Sequence, residues 1–269
     1  MPRVALVSTI HDSAGWSIIP LRESSPLLDD LYERRIVVAT KGTSQAVINA
    51  LEESGWFLAS PRSNMGVEYI SDSRLRVIRA GVEAGADHLH LVDTDRVLHW
   101  AAHYPDELRG VVSRISELDF TIIGRTQRAL QTHPRNQVET EAIANKVFSL
   151  IYGREVDITA ASRGISRAAV EVLAKYSHGR FFDNDSEWPT ILLCLGGLSM
   201  GYVEAEGLEW ETRLKREQMT LPDGRRVDVK DYYEGNPESW VYRLMLAHRI
   251  AQAALETSRN IRGGYRVDS

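Results

Sequence analysis

The sequence is short of the features that mark several large protein classes. It holds a single cysteine, Cys194, among 269 residues. That excludes an intramolecular disulfide and suits a reducing compartment. Long hydrophobic runs are missing. The longest, around residues 191–198, contains two glycines and falls well short of the ~20 apolar residues a spanning helix needs. The run MPRVALVSTI meets His11 and Asp12 too soon for a signal peptide. A basic excess is also missing: the formal net charge is −5, which argues against a phosphate-dominated nucleic-acid partner. No internal repeat and no low-complexity linker is visible. Hydrophobic residues make up 43% and charged residues 26%, ordinary globular values that exclude a disordered chain. The expectation is a soluble, cytoplasmic protein that would meet any lipid substrate from the membrane surface.

What is present is an alternation. Apolar runs at residues 4–8, 36–39, 56–59, 88–93 and 120–123, the first two rich in β-branched residues, read as strands. Between them, residues 44–55, 71–85 and 104–118 carry apolar residues at helical spacing. Such alternation predicts an α/β fold with a mostly parallel central sheet covered by helices on both faces. After Gly124 the rhythm changes. Residues 126–136 read as a polar loop, and 137–152, 165–176 and 188–195 as helices. Residues 181–187 (FFDNDSE) read as an acidic loop, and 199–204 as a strand. A polar turn, LPDGRRVD, precedes a last helix opened by Asn236-Pro237-Glu238. The stripe Trp240, Leu244, Ala247, Ala251 and Leu255 on that helix suits core packing, with a homodimer seam as the alternative.

The sharpest signal is Asp93-Thr94-Asp95 at the end of the fourth strand. In open α/β sheets, ligands bind beyond the carboxyl ends of the strands. Two carboxylates one residue apart at such an edge need a cation or a strong hydrogen-bond network. A hard divalent ion, Mg²⁺ or Mn²⁺, held by one or two carboxylates and a diphosphate satisfies that need. The plainer reading is that both acids cap the next helix. A second acidic group, Asp183, Asp185 and Glu187, offers a base for an acceptor hydroxyl or, more plainly, a helix cap. Arg125 and Arg163 fall in predicted loops near the same edge, and guanidinium groups suit phosphate or carboxylate recognition.

The order of these parts resembles a GT-A-type glycosyltransferase, of the broad group that includes family 2 enzymes and the polyprenol-phosphate and glycerate-type sugar transferases. The resemblance spans about residues 4–211. It implies that Asp93 and Asp95 hold the metal, and that Asp93 and Thr94 lie against a UDP- or GDP-linked sugar. Asn64-Met65-Gly66 and the helix after it, with Arg74, resemble the segment beside the nucleotide. The stretch DITAASRGISRAAVEVL resembles the acceptor side, with Gly164 and Arg167 in the family's glycine and arginine positions; Arg125, Arg163 and Gly164 are expected there. FFDNDSEWPTILLCLGGLSMGYVE resembles the part that carries the catalytic base, which points to Asp185, Glu187 or Asp183. A late histidine completes the metal site in some related transferases, and His178 and His248 are the candidates. The first strand departs from the family by ending Ser8-Thr9-Ile10-His11-Asp12, and the second by ending Ala39-Thr40-Lys41-Gly42-Thr43-Ser44. The usual acidic contact to the base is therefore absent, and Thr9, His11 and Thr40 occupy its place.

The organisation implied is a catalytic domain over residues 1–211, with a nucleotide-sugar half up to 124 and an acceptor half from 125. A C-terminal helical extension covers 212–269. The acceptor would be a small molecule or a lipid phosphate. Three other readings compete. HLVDTDRV matches the pattern of a haloacid-dehalogenase-type phosphatase, with Asp93 as nucleophile and Asp95 as acid/base. A nucleotidyltransferase would need a glycine-rich loop that this chain lacks after its first strand. A degenerate member would bind sugar nucleotide without turnover.

Overall fold

A computed structural model of the protein describes residues 3–211, 218–221 and 223–263. Seven strands form the central sheet: β1 (Val4–Ile10), β2 (Arg34–Ala39), β3 (Trp56–Leu58), β4 (His88–Leu91), β5 (Phe120–Arg125), β6 (Ser162–Ser166) and β7 (Met200–Ala205). Their spatial order is β3-β2-β1-β4-β6-β5-β7. All neighbours are parallel except β6, which runs antiparallel to both β4 and β5. The predicted α/β class with a mostly parallel sheet is therefore correct.

Period-two alternation divides the core. On β1, Val4, Leu6 and Ile10 join one apolar cluster, while Ala5 and Val7 join the other. The first face is covered by α1 (Ile18–Leu31), α2 (Gln45–Glu53), α4 (Thr94–His103) and α5 (Pro105–Arg114), through residues such as Leu21, Leu51, Trp100 and Leu108. The second is covered by α3 (Ile70–Glu83), α7 (Arg135–Tyr152), α8 (Arg167–Tyr176), α9 (Asn184–Leu195) and the long C-terminal α11 (Pro237–Arg262). Two shorter helices, α6 (Gln127–Thr132) and α10 (Val229–Gly235), and a hairpin of β8 (Gln218–Thr220) with β9 (Arg226–Asp228) complete the described chain. No helix among the described residues is long and apolar enough to cross a membrane.

Several expectations need correction. α1 lies where the sequence predicts no element. The stretch after Asp93 is a helix, α4. Residues 126–136 are not a loop but α6 and the start of α7, with Thr126 accepting the Ala129 N–H as a cap. The helix expected from residue 165 starts at Arg167, because Ser162–Ser166 is a buried strand wedged between β4 and β5. The acidic stretch 181–187 is only partly a loop, since α9 begins at Asn184. Parts of the C-terminal extension, residues 212–217, 222 and 264–269, lie outside the described residues.

α3 packs tightly on the sheet because Gly81 has no side chain. A Cβ there would stand 2.6 Å from Leu89 Cδ2 and 2.9 Å from Val7 Cγ1, both in the core. Gly81→Ala should gain helix propensity but overpack the core, for a net loss of about 1–2 kcal/mol. A chemical-denaturation curve with unchanged slope and a lower midpoint would show it.

Candidate active site

The site forms beyond the ends of β1, β2 and β4. The chain leaves β4 in extended conformation, and Asp93 sits at the N-cap of α4 without a hydrogen bond from its side chain to the cap. Asp93 Oδ1 accepts from Thr9 Oγ1 at 3.0 Å, and Oδ2 accepts from Arg74 Nη2 at 2.9 Å. Thr94 turns inward. Its hydroxyl lies 2.7 Å from Ser8 Oγ and donates to the Thr9 carbonyl at 3.1 Å, tying β1 to the start of α4. Asp95 Oδ1 accepts the Arg96 N–H at 2.9 Å.

Arg74, on α3, is 1% exposed and bridges two carboxylates. Its Nη1 donates to Asp185 Oδ1 at 2.9 Å, while Nη2 holds Asp93. Burial pushes the guanidinium pKa down, but Asp93 and Asp185 outweigh burial and the net shift is upward. Asp185 lies in the first turn of α9. The turn before it is pinned to α3, because the Phe181 carbonyl accepts from both the Ser71 N–H and the Ser71 hydroxyl at 2.9 Å. Phe181 holds that position at the cost of a left-handed φ of 51°. Burial raises the Asp185 carboxyl to about 6, against the opposing pull of Arg74 and Arg163.

Two cavities meet at this junction. One, of about 270 Å³, runs over the ends of β1 and β2 and is walled by Thr9, His11, Thr40, Asn64 and Gly66. His11 Nδ1 lies 2.7 Å from Thr40 Oγ1, and Asn64 Oδ1 accepts from Lys41 Nζ at 2.8 Å. The other, of about 210 Å³, lies under α7 and α11 and contains Asp185. Arg74, Asp93, Asp95 and Phe182 wall both.

The remaining candidate residues stand elsewhere. Asp183 and Glu187 face a third cavity of about 390 Å³ that also contains His178. Asp183 accepts from Arg249 Nη2 at 2.7 Å. Glu187 accepts from the Ser177 hydroxyl at 2.6 Å and the His178 N–H at 2.8 Å. Positions 183 and 187 are one helical turn apart, and 185 points to the opposite side. Arg125 and Arg163 lie on β5 and β6 rather than in loops. Arg125 lines neither of the two joined cavities. It is buried in an ion network, with Nε 2.7 Å from Asp157 Oδ2 and Nη2 2.7 Å from Glu141 Oε2. Arg163 is committed to the carbonyls of Ser162, Ile158 and Asp185. Gly164 is a strand residue, where a Cβ would press on Ile115 at 3.1 Å. His248 is exposed on α11 and lines neither joined cavity.

Several lining residues carried no readable signal. Trp16, Tyr69 and Phe182 bring aromatic rings to the first cavity. His133, Gln137, Glu141 and Trp210 line the second. Only Gln137 and Glu141 share a pattern, the i,i+4 spacing of one helix face.

Asp93 and Asp95 are hard oxygen donors at an open junction, a set that suits Mg²⁺ or Mn²⁺. Among the described residues, no group of three or more His, Cys, Asp or Glu side chains gathers as a complete metal site. The pair therefore fits an ion that takes its other ligands from a diphosphate or water.

No protein-family model matches the sequence, and no curated protein matches it. Solved structures do. Glucosyl-3-phosphoglycerate synthase from Mycobacterium tuberculosis, in complex with Mn²⁺, UDP-glucose and phosphoglyceric acid, aligns over 96% of this chain and 80% of its own, with TM-score 0.60 and 13% identity. Its complex with Mn²⁺, UDP and phosphoglyceric acid gives TM-score 0.58 and 14% identity over 96% of this chain and 78% of that one. Its complex with Mn²⁺, UDP and glucosyl-3-phosphoglycerate gives 0.55 and 11% over 96% and 80%. At this identity the likeness is one of fold, and it agrees with the order of parts read in the sequence: the chain has the GT-A glycosyltransferase fold.

Proposed function

We propose that the protein is a divalent-metal-dependent glycosyltransferase that moves a sugar from a nucleoside-diphosphate sugar to an acceptor hydroxyl. One observation carries this reading. Asp93 and Asp95 stand where two cavities meet, and the second cavity holds a buried carboxylate, Asp185, whose pKa burial pushes up to about 6.

The cavity over β1 and β2 takes the nucleotide. Thr9, His11, Thr40, Asn64 and Gly66 would read the base and ribose, with Trp16 and Tyr69 as apolar walls. Asp93 and Asp95 would hold the metal, which when bound neutralises charge that develops on the leaving diphosphate. Arg74 and Thr9 fix the Asp93 carboxylate in place. Asp185 acts as the base from the second cavity. As the acceptor oxygen bonds to the anomeric carbon, the bond from that carbon to the diphosphate breaks. The hydroxyl proton passes to Asp185, and the nucleoside diphosphate leaves. This arrangement inverts the anomeric centre.

The phosphatase reading is less well supported. Asp93 follows β4, with three strands before it in the chain, whereas the nucleophile of that phosphatase pattern ends an opening strand, and the fold neighbours hold UDP or UDP-glucose.

The fold neighbours were crystallised with UDP and Mn²⁺, so that pair is the first to test. Calorimetric titration of UDP, GDP and ADP, with and without Mn²⁺, should give metal-dependent binding of one nucleotide. Asp95→Asn should weaken it by about tenfold or more. Absence of binding under every condition would overturn the reading.

A further inference from the structure

The second cavity has a wall whose hydrogen-bonding capacity is unused. His133, at the end of α6, is 1% exposed. Its Nδ1 lies 3.1 Å from the Ala129 carbonyl, which can only accept, so Nδ1 carries the ring hydrogen. The lone pair is then on Nε2, which is buried without a hydrogen-bond partner, and His133 lines the cavity. Burial, with Arg125 and Arg96 nearby, holds the imidazole in its neutral form. Three residues on, Asn136 buries both atoms of its amide without a partner. Gln137, 4% exposed, lines the cavity and makes no side-chain hydrogen bond among the described residues.

Each buried polar atom left unpaired costs about 1–3 kcal/mol. Native structures keep such atoms where a ligand or water completes them. These groups are neutral, and His133 and Gln137 line the cavity that holds Asp185. The same cavity is lined by three arginines against five carboxylates, and one of the arginines, Arg74, is already committed to two of those carboxylates. The lining side chains therefore carry no surplus of positive charge to attract an anionic acceptor, whereas a hydroxylated neutral one would meet hydrogen-bond partners.

We infer that the acceptor is an uncharged polyol or sugar, and that His133 Nε2 binds it by accepting a hydrogen bond from one of its hydroxyls. A second hydroxyl reaches Gln137. This rests on the glycosyltransferase reading and goes further by naming the acceptor class, in contrast to the phosphoglyceric acid in the fold neighbours' crystals.

The test uses the full chain with Mn²⁺ and UDP-glucose or GDP-mannose, following nucleotide release. Release to water alone reports whether the donor site works. Glycerol and glucose are then compared with glycerate and 3-phosphoglycerate as acceptors. Neutral acceptors should stimulate release more than the anionic ones. His133→Ala should raise the KM for the neutral acceptor about tenfold, with kcat changed less and the donor KM held. His133→Gln, which retains an accepting oxygen, should recover part of that loss; a folding defect in the alanine variant would lower kcat instead. Two outcomes overturn the inference while the donor site still works. One is preference for the phosphorylated acid. The other is an unchanged acceptor KM in His133→Ala, which would mean that only water meets Nε2. Failure of wild type to bind or hydrolyse any sugar nucleotide would overturn the glycosyltransferase reading itself, and this inference with it.

Discussion

Asp185→Asn should lower kcat by about a thousandfold, with a far smaller loss of metal-dependent nucleotide binding. The size follows from the usual contribution of a positioned base, about 10²–10⁴ in rate. The change is nearly isosteric and keeps an oxygen for Arg74 Nη1, so the local packing should survive. The wild-type pH profile carries an independent signature. Only the ionised carboxylate accepts a proton, and burial sets its pKa at about 6. Activity should therefore fall about tenfold per pH unit as the medium is acidified below that value, and level off above it. The asparagine variant should lose this limb. A variant that keeps the limb, or retains near-full kcat, would assign the base elsewhere.

The largest effect on stability should come from Asp157→Ala. Asp157 accepts from Arg125 Nε and Nη2, from the Arg125 N–H and from Asn145 Nδ2. The Arg125 side chain is completely buried. Removing the carboxylate leaves that cation with Glu141 as its remaining ionic partner. Loss of one member of a buried pair costs about 3–5 kcal/mol. For a chain of this size that is a fall of about 10 °C in melting temperature. The sign of the pH dependence is fixed. Burial alone would raise the Asp157 carboxyl, but Arg125 holds it well below the usual carboxylate range. The pair's contribution is therefore complete above the unfolded carboxylate pKa, about 4. It is lost as pH drops from there toward the depressed folded value. Wild type should lose stability steeply in acid, and the variant less so. Coincident acid-unfolding curves would remove Asp157 from this role.

The parallel half of the sheet was legible because β1 and β2 are continuous β-branched runs buried on both sides, β3 and β4 are short apolar runs that follow helices, and its helices carry clear apolar stripes. α1 was hidden by its composition. The segment SIIPLRESSPLLDDL contains two prolines and a serine pair, poor helix formers that are overruled by burial of Leu21 and Leu28. β6 was hidden for a different reason. SRGIS has no period and little β-propensity; its strand form comes from the neighbours that pair with it on both edges. The acidic triplet could be placed because a strand end is a local feature. The grouping of Asp183, Asp185 and Glu187 required helical phase, which a loop reading cannot supply. The neutral wall of His133 and Gln137 emerges only when the end of α6 and the start of α7 are packed beside the cavity that holds Asp185, and no short window of sequence holds that information.

Arg74 connects proton affinity in one cavity to charge in the other. It donates to Asp93 at the junction and to Asp185 beyond it, and the Asp93 charge is itself among the influences that raise the Asp185 pKa. Positive charge arriving at Asp93 must therefore ease the proton off Asp185. By reciprocity, an ionised Asp185 must favour cation binding at Asp93 by the same factor. Occupancy of the donor side and readiness of the base are in this way two readings of a single equilibrium. Proton release on donor binding, measured by calorimetry in buffers of different ionisation enthalpy, is its direct observable.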